Sequence, residues 1–295
     1  MFISRFVRTT VATLMLLSPL AVTEIAIAQQ CDPGGGMGGT GPDVMVGELT
    51  GTQSYGLAAG HYAYSVGTTS CNIGTDTLLW IANNNQHPVI GQNLYRHNNG
   101  RFEQIGMSWL KHGFLALAQN SCGCGCNNPG NGALLGVGCS DPYSSGLNGQ
   151  QSGLGPRSEV TDPANGGYQY PINLNPPNTD LTAKRLRVNE NDNDPALNAG
   201  VTYFVEGHYV PPDDAAAGNA HNNCSYRSVT FSTNASRAMT LTGSTQRQQP
   251  GIQAWQDSDP SVTLVEAIDA DNGLVIVGYK VTDIGGGQHS YEYAI

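Results

Sequence analysis

Residues 89–105 read VIGQNLYRHNNGRFEQI, in which two apolar runs, Val89–Arg96 and Phe102–Ile105, flank the turn residues 97–100. Asn-Gly between such runs is the strongest short-range signal of a β-hairpin. Comparable short runs recur along the chain at Val44–Leu49, His61–Val66, Leu78–Ala82, Thr202–Val210, Ser225–Phe231, Met239–Leu241, Ile252–Trp255, Val262–Ile268, Leu274–Val281 and Ser290–Ile295. This pattern predicts an all-β fold, either an antiparallel β-sandwich or a jelly-roll-like fold.

Long connections are the second feature of the pattern. Residues 120–198 are dominated by Gly, Pro, Asn and Asp, which predicts long loops between the strands. Residues 43–295 therefore form one β-rich region or two β subdomains, at about 43–198 and 199–295. The last run, Ser290–Ile295, alternates like a strand and stops without a polar tail. We expect that the sequence is truncated at its C-terminus, since an edge strand ending there would be poorly covered.

The N-terminus carries the features of a secretory signal. Arg5 and Arg8 precede an apolar stretch of about a dozen residues, and Ala26 and Ala28 suit a signal peptidase. The stretch is shorter than the roughly 20 residues that a membrane-spanning helix needs. We therefore predict a cleavable signal over residues 1–28, a flexible Gly-rich lead over 29–42, an extracytoplasmic protein and no transmembrane anchor in this chain.

The charge balance bears on possible partners. The chain has 13 basic and 23 acidic residues, with a formal net charge of −10. Nucleic acids and anionic membranes are bound by clusters of Lys and Arg. The balance predicts that neither is a partner.

The sequence contains seven cysteines, and an exported protein normally pairs its cysteines in disulfides. The number is odd, so at least one is left over. An alternative is a thiolate site for copper or zinc on the Gly-rich loop of residues 122–126. The disulfide candidates are Cys31, Cys71, Cys122, Cys124, Cys126, Cys139 and Cys224.

Histidines are the most visible candidates for chemistry, because the common nucleophile, zinc-protease, phosphate-loop and haem motifs are missing from the sequence. His87 follows the apolar run at residues 78–82, and His112 lies between Lys111 and Gly113. A histidine at a strand end is well placed for proton transfer or metal binding. The alternative is that both are hydrogen-bonded structural residues.

Two acidic segments are candidates for calcium. Asp192 and Asp194 lie in the run at residues 189–194, and Asp269 and Asp271 lie just before Gly273. Closely spaced oxygen ligands of this kind are those that Ca²⁺ prefers. The second segment is also a good hairpin turn without any ion.

Aromatic residues raise the possibility of carbohydrate binding. Trp80, Trp109 and Trp255 accompany 13 tyrosines, against six phenylalanines. Exposed, coplanar rings would form a stacking platform for sugars, and the alternative is that the rings pack in the core.

Five blocks of the sequence carry a resemblance that covers most of the region after residue 28. They are SVGTTSCNIGT (65–75), NQHPVIGQNLYR (85–96), FEQIGMSWLKHGF (102–114), GVGCSDPYSSGLNG (136–149) and YFVEGHYVPPDDAAAGN (203–219). The chain resembles a family of secreted bacterial proteins that has no known activity. The resemblance implies a longer extracellular protein that continues beyond position 295, and it brings no catalytic residues.

A second resemblance concerns two short segments. Residues 155–160, GPRSEV, are similar to the Arg-Ser-Glu-Leu strand motif of jelly-roll alginate lyases, and residues 203–207, YFVEG, are similar to their Tyr-Phe-Lys-Ala-Gly strand. Val205 and Glu206 replace the Lys and Ala of that motif, and no Gln-Ile-His lies between the two segments. The resemblance implies that Arg157, Glu159 and Tyr203 line a groove.

These observations leave three functional hypotheses. The first is a secreted or cell-surface β protein that binds an extracellular polysaccharide or another surface component. The second is a polysaccharide-active lyase or hydrolase that uses His87, His112, Arg157, Glu159 and Tyr203. The third is a copper- or zinc-dependent secreted protein.

Overall fold

The computed structural model describes residues 38–175, 177–269 and 273–295. Its strands are β1 (Val44–Ala58), β2 (His61–Asn72), β3 (Leu78–Leu79), β4 (Val89–Asn98), β5 (Arg101–Met107), β6 (Leu110–His112), β7 (Leu134–Leu135), β8 (Ser140–Tyr143), β9 (Leu154–Gly155), β10 (Val160–Asp162), β11 (Gly167–Tyr168), β12 (Leu186–Asn189), β13 (Thr202–Val210), β14 (Cys224–Phe231), β15 (Met239–Gln246), β16 (Thr263–Asp269), β17 (Gly273–Gly285) and β18 (Gln288–Ala294). The helices are α1 (Ser145–Asn148), α2 (Pro212–Ala216) and α3 (Gln253–Ser258), with 3₁₀ turns at Gln151–Gly153, Arg157–Glu159 and Ala220–Asn222.

Strands make up about 48% of the structure and helices about 9%, and the large sheets are antiparallel. The prediction of an all-β, antiparallel fold is confirmed. The predicted signal peptide, most of the Gly-rich lead, Cys31 and Asp271 lie outside the described residues. Within the described part of the chain, no helix has the length and apolar character needed to cross a membrane.

The main sheet has the strand order β1-β2-β12-β5-β4-β13-β14-β15. The predicted hairpin at residues 89–105 forms its centre as β4 and β5, with Asn98 paired to Arg101 across the turn. At the turn, Asn99 and Gly100 both have positive φ, which is why this dipeptide suits the position. Three short strands extend the sheet, since β8 pairs with β2, β6 pairs with β4, and β9 pairs with β6.

The main sheet crosses the boundary between the two predicted subdomains. β13, which follows residue 198, pairs along its whole length with β4, from Thr202 opposite His97 to Val210 opposite Val89. β14 and β15 then continue the same sheet. A division at residues 198 and 199 would therefore cut through a continuous ladder, and the separate three-stranded sheet begins later, at β16.

The main sheet curls until its two ends meet. β1 and β15, the first and last strands in the order, lie side by side and are joined through side chains. Thr52 donates from its Oγ1 to the carbonyl of Met239 at 2.6 Å, and Leu49 donates its backbone N–H to Thr245 Oγ1 at 3.0 Å. The curled sheet thus encloses one apolar core.

The inner face of the sheet holds that core. Its largest fully buried members include Trp80, Tyr64, Tyr143 and Leu94, each 0–2% exposed. Burial of such side chains contributes about 1.5–3 kcal/mol each, so this core is the main source of stability.

The outer face of the sheet is covered by a second layer. α3 and the three-stranded sheet β16-β17-β18 pack against it through Trp255, whose ring stacks on Phe102 at 6.1 Å between centroids and whose indole N–H donates to Gly100 O at 3.2 Å. The prediction of a strand at Ile252–Trp255 is wrong, because Gln253–Ser258 is helical. An apolar run of four residues is too short to distinguish the two-residue repeat of a strand from the 3.6-residue repeat of a helix. The consecutive residues Ala254 and Trp255 are both buried, which fits the observed helix better than the alternation of a half-buried strand.

Two disulfides lie within the described residues, Cys71–Cys122 and Cys126–Cys139. Cys124 is not a free thiol either. The CGCGC loop is therefore held to its surroundings by disulfides, as the sequence predicted, and the thiolate metal site was the wrong alternative for Cys122 and Cys126. Cys224 is the free cysteine of this part of the chain.

Candidate functional site

The 3₁₀ turn at Arg157–Glu159 directs two of the predicted site residues towards different neighbours. The turn follows β9, which pairs with β6, and Glu159 closes it by donating its backbone N–H to Pro156 O at 3.0 Å. Side chains two residues apart on such a tight turn leave in different directions. Arg157 therefore reaches β4, whereas Glu159 reaches His112.

Arg157 lies flat over Gly91 of β4. A methyl group on Gly91 would lie 2.9 Å from the guanidinium carbon, so a glycine is needed here for the side chain to approach. The guanidinium donates to Ser108 O from Nε at 2.8 Å, and from Nη2 to Gln92 O at 3.0 Å and to Asn93 Oδ1 at 2.9 Å. All three acceptors are neutral oxygens, and no hydrogen bond from Nη1 to a described residue is present.

Arg157 has no direct carboxylate partner among the described residues, in contrast to the arginines that form ion pairs. Arg96, Arg227 and Arg237 each form an ion pair at 2.6–3.1 Å. The carboxylate of Glu206 is connected to Arg157 through an amide: Asn93 donates from Nδ2 to Glu206 Oε1 at 2.6 Å and accepts from Arg157 through Oδ1. Burial lowers the pKa of Arg157, with Glu206 opposing the shift.

Glu206 is a buried carboxylate on the outer face of β13. It accepts from the backbone N–H of Gly251 at 2.5 Å and from Tyr95 Oη at 3.3 Å, in addition to Asn93. Burial raises its pKa, and these hydrogen bonds oppose the rise. The carboxylate oxygens of Glu206 therefore already accept hydrogen bonds from neighbouring residues. Of Glu206, Asn93 and Arg157, it is Arg157 that has N–H groups left to bind a ligand.

A cavity of about 410 Å³ opens beside Arg157, between the outer face of the sheet, the β10–β11 hairpin, α2 and β17. Its polar lining includes Arg157, His208, His221, Asn223 and Cys224. Its apolar lining includes Leu110, Val160, Pro163, Ala164, Val210, Pro211, Ala215, Pro250, Leu274 and Ile276. The combination of apolar walls with a few polar groups is typical of small-molecule sites.

Two titratable groups in this cavity are neutral. Burial and then the charge of Arg157 lower the pKa of His208 to about 4. Burial also raises the pKa of the Cys224 thiol well above its usual value. His208 is therefore an uncharged imidazole and Cys224 a protonated thiol near pH 7, and a thiolate nucleophile is not available without a further base.

His87, His112 and Glu159 form a second cluster, a buried hydrogen-bonded chain. His87 Nε2 lies 2.8 Å from His112 Nδ1, and His112 Nε2 lies 2.6 Å from Glu159 Oε1. His87 Nδ1 lies 3.0 Å from the carbonyl oxygen of Ile81, so this nitrogen must carry the proton. His87 Nε2 then accepts, and His112 must donate through Nδ1.

This tautomer assignment leaves one proton to be shared between His112 Nε2 and Glu159 Oε1. The chain is neutral in total, either as an imidazolium–carboxylate pair or as a neutral imidazole and a carboxylic acid. Burial lowers the pKa of His87 to about 4, so His87 adds no charge. Both ring nitrogens of each histidine are occupied, so the chain presents no lone pair to a metal or substrate in this arrangement.

The structure thus brings together four of the five predicted catalytic residues around β6 and the turn after β9, in two separate clusters. Tyr203 lies elsewhere, on the inner face of the main sheet, where its hydroxyl donates to Asp192 O at 2.9 Å. Strand alternation explains the difference, because Tyr203 and Phe204 must point to opposite faces of β13. The groove implied by the lyase resemblance, with Arg157 and Tyr203 together, is not formed.

Sequence reasoning missed Lys111, Glu206 and His208. Each is an ionisable residue inside an apolar strand run, Trp109–Phe114 or Thr202–Val210. A charged residue in a run with buried neighbours on both sides is the signal that could have identified them.

Two of the four calcium candidates, Asp192 and Asp194, are engaged in ion pairs. Asp192 pairs with Arg96 at 3.1 Å, and Asp194 pairs with Arg237 at 2.6 Å. Asp269 lies at the end of β16, whereas Asp271 is outside the described residues. Across the described ranges, no three or more His, Cys, Asp or Glu side chains are grouped so that they could hold a metal ion.

For the tryptophans, the alternative of core packing holds at two of the three positions, since Trp80 and Trp255 are fully buried, and Trp109 lies under Lys184. Tyrosines occupy an exposed face instead. Tyr291 and Tyr293 of β18 are 55% and 64% exposed, with ring centroids 6.4 Å apart and planes 5° from parallel.

Comparison with known proteins adds no relative: no family model, no curated protein and no solved structure matches this chain. The fold and the site therefore define the class of protein by themselves. It is an all-β, disulfide-containing protein whose curled sheet carries a cationic cavity on its outer face.

Proposed function

We propose that this chain is a secreted binding protein for a small organic anion, which it holds in the Arg157 cavity. The observation that carries the proposal is the half-buried guanidinium that lines the cavity, holds only neutral oxygens and keeps Nη1 free of hydrogen bonds to the described residues. A partly desolvated cation without a direct counter-ion is unfavourable, and a bound anion would reduce that cost.

The walls of the cavity favour a particular kind of anion. They are mostly aliphatic, so the ligand should have a compact apolar body attached to its acidic group. An aliphatic or aromatic monocarboxylate fits this description, since a carboxylate matches the planar donors of a guanidinium. The predicted secretion signal and the disulfides support an extracellular setting.

Thermal unfolding with a panel of matched ligands tests the proposal. Benzoate, hexanoate and phenylacetate would be compared with benzamide and hexanamide, which have the same bodies without the charge. We expect at least one acid to raise the Tm by several degrees in the wild type, because a ligand bound only by the native state stabilises it. The amides should have at most a tenth of the affinity.

Variants locate the site. Arg157→Gln should abolish the shift, and Arg96→Gln, which removes an arginine that is ion-paired elsewhere, should keep it. Gly91→Ala offers a second test, since it retains the charge and displaces the guanidinium. Absence of any shift with the acids, or a shift that survives in folded Arg157→Gln and Gly91→Ala proteins, would reject the proposal.

A second candidate function is binding of an extracellular polysaccharide on the tyrosine face of β18. The parallel, exposed rings of Tyr291 and Tyr293 support it, with Tyr279 on the neighbouring strand 6.5 Å from Tyr293. Sugar rings present apolar C–H faces that stack on such surfaces. Pull-down by insoluble polysaccharides should be lost in Tyr291→Ala/Tyr293→Ala and retained in Val265→Ala, another exposed residue of the same small sheet.

A further inference from the structure

Lys111 is a buried lysine in the middle of β6. Only 5% of the residue is exposed. Its neighbours along the strand are the apolar Leu110 and the hydrogen-bonded His112. Its side chain lines a pocket of about 200 Å³ that is separate from the Arg157 cavity. The pocket is also lined by His87, His112, Phe114 and Tyr170.

The amino group of Lys111 has no hydrogen-bond acceptor and no carboxylate partner among the described residues. The ring of Phe114, 5.2 Å from Nζ to the centroid, is its one close aromatic contact. The amino group also lies close to Gly153, where a methyl group would come within 2.5 Å of Nζ. An ammonium ion has three donors to satisfy, and without an acceptor from the described residues the neutral amine is more populated at Lys111 than at an exposed lysine.

The three lysines of the whole chain make an internal comparison possible. Lys280 forms an ion pair with Asp259. Lys184 donates to Leu174 O at 2.9 Å and stacks over Trp109. Only Lys111 lies in a pocket without an acceptor.

The ionisable groups around Lys111 do not supply the missing negative charge. His87 and His112 belong to the hydrogen-bonded chain, whose total charge is zero, and Glu159 is bound to His112. Tyr170 is a phenol whose hydroxyl makes no hydrogen bond to a described residue. Burial accordingly lowers the pKa of Lys111.

We propose that Lys111 is the reactive amine of a second site, which takes a small aldehyde or keto acid and holds it as a Schiff base. The lone pair of the neutral Nζ adds to the carbonyl carbon, and a proton moves from nitrogen to the former carbonyl oxygen to give a carbinolamine. Loss of water then forms the carbon–nitrogen double bond. No oxidant or reductant is needed, and Tyr170 is placed in the lining to exchange the proton.

Reductive trapping tests this inference on the intact protein. The protein would be incubated briefly with glyoxylate or acetaldehyde and cyanoborohydride at pH 7, and the modified residues would be identified by peptide mass spectrometry. We expect at least tenfold more adduct at Lys111 than at Lys184 or Lys280, with the N-terminal amine mapped separately. Equal or lower modification of Lys111 would overturn the proposal.

The pH dependence of trapping gives a second measurement that needs no variant. Modification of Lys111 should reach half its maximum at a lower pH than that of free N-acetyl-lysine under the same conditions, because burial lowers the pKa of Lys111. Lys111→Met should lose the main adduct, whereas Lys184→Met should keep it. A Lys111→Met protein that is folded and retains the main adduct would also contradict the inference. Arg157→Gln should leave trapping unchanged, so failure here and failure of the proposed anion binding are distinguishable.

Discussion

The two faces of β13 differ in what they bury. Tyr203 and Val205 point into the apolar core inside the curled sheet, whereas Phe204, Glu206 and His208 lie against the outer layer. The inner face is mainly apolar, with tyrosine hydroxyls hydrogen-bonded at its edge, and the outer face combines a carboxylate, an imidazole and a cavity. Alternate residues of β13 meet different layers, so one strand contributes apolar packing on one side and ionisable groups on the other.

The largest effect is expected on the inner face. Leu94→Ala, on β4 next to β13, removes a side chain that is 0% exposed and leaves a cavity in the core. The free energy of unfolding should fall by about 3 kcal/mol. Urea denaturation followed by circular dichroism measures it, and ligand stabilisation of the folded variant should persist. A loss below about 1 kcal/mol would mean that the core is looser than its burial indicates.

On the outer face, Glu206→Gln should cost about 2 kcal/mol. The amide would present a donor where Glu206 now accepts from Gly251 or Asn93, which leaves one buried donor unsatisfied. Removing the charge also strengthens the positive field at Arg157, so anion affinity should rise rather than fall. Urea denaturation and calorimetry check both outcomes. Weaker anion binding at unchanged Arg157 geometry would contradict the electrostatic account of the cavity.

His208→Asn should change the pH dependence of stability. The folded pKa of His208 is about 4, below the usual 6.5, so its contribution to stability is present above pH 6.5 and is lost as the pH falls towards 4. The wild type should therefore lose on the order of 2 kcal/mol more than the variant over this interval. Asp141 and Asp214, whose pKa values burial raises to about 7, act in the opposite direction and cancel in the difference between the two proteins. Identical pH profiles would contradict a buried neutral imidazole.

The smallest effect is expected for Tyr203→Phe. The change removes one hydrogen bond, from the hydroxyl to Asp192 O, and should cost about 1 kcal/mol. Anion binding and lysine trapping should be unchanged, because Tyr203 lies on the inner face. A loss of either activity would restore Tyr203 to the site that the lyase resemblance implied.

Local patterns explain how much of the fold was predictable. The hairpin at residues 89–105 and the run at Thr202–Val210 became β4, β5 and β13, because alternation and turn chemistry act over a few residues. The helix at Gln253–Ser258 was missed because burial of Trp255 against Phe102 is a long-range contact. The strand propensity of the four residues 252–255 carries no information about this contact.

Several individual residues of the site were predictable from the sequence, but the contacts between them were not. His87, His112 and Glu159 were singled out separately, yet their contact depends on β6 lying between β4 and β9. Arg157 was expected beside Tyr203, and the order of layers around the sheet placed them on opposite faces. Lys111 and Glu206 gave only a weak signal, since a single charge in an apolar run is also typical of an exposed strand position.

The side-chain contacts between β1 and β15 give the curled sheet a seam. Everywhere else along the main order, neighbouring strands are held by backbone ladders, but across this line side chains carry the connection, namely the hydroxyl groups of Thr52 and Thr245 and the guanidinium groups of Arg227 and Arg247. Side-chain hydrogen bonds at a partly exposed line exchange with water more readily than a continuous backbone ladder, so local opening should begin along the seam and admit solvent to the core from that side. Amide hydrogen exchange would then show the earliest loss of protection at Leu49 and Met239, while β4 and β13 remain protected until the whole sheet unfolds.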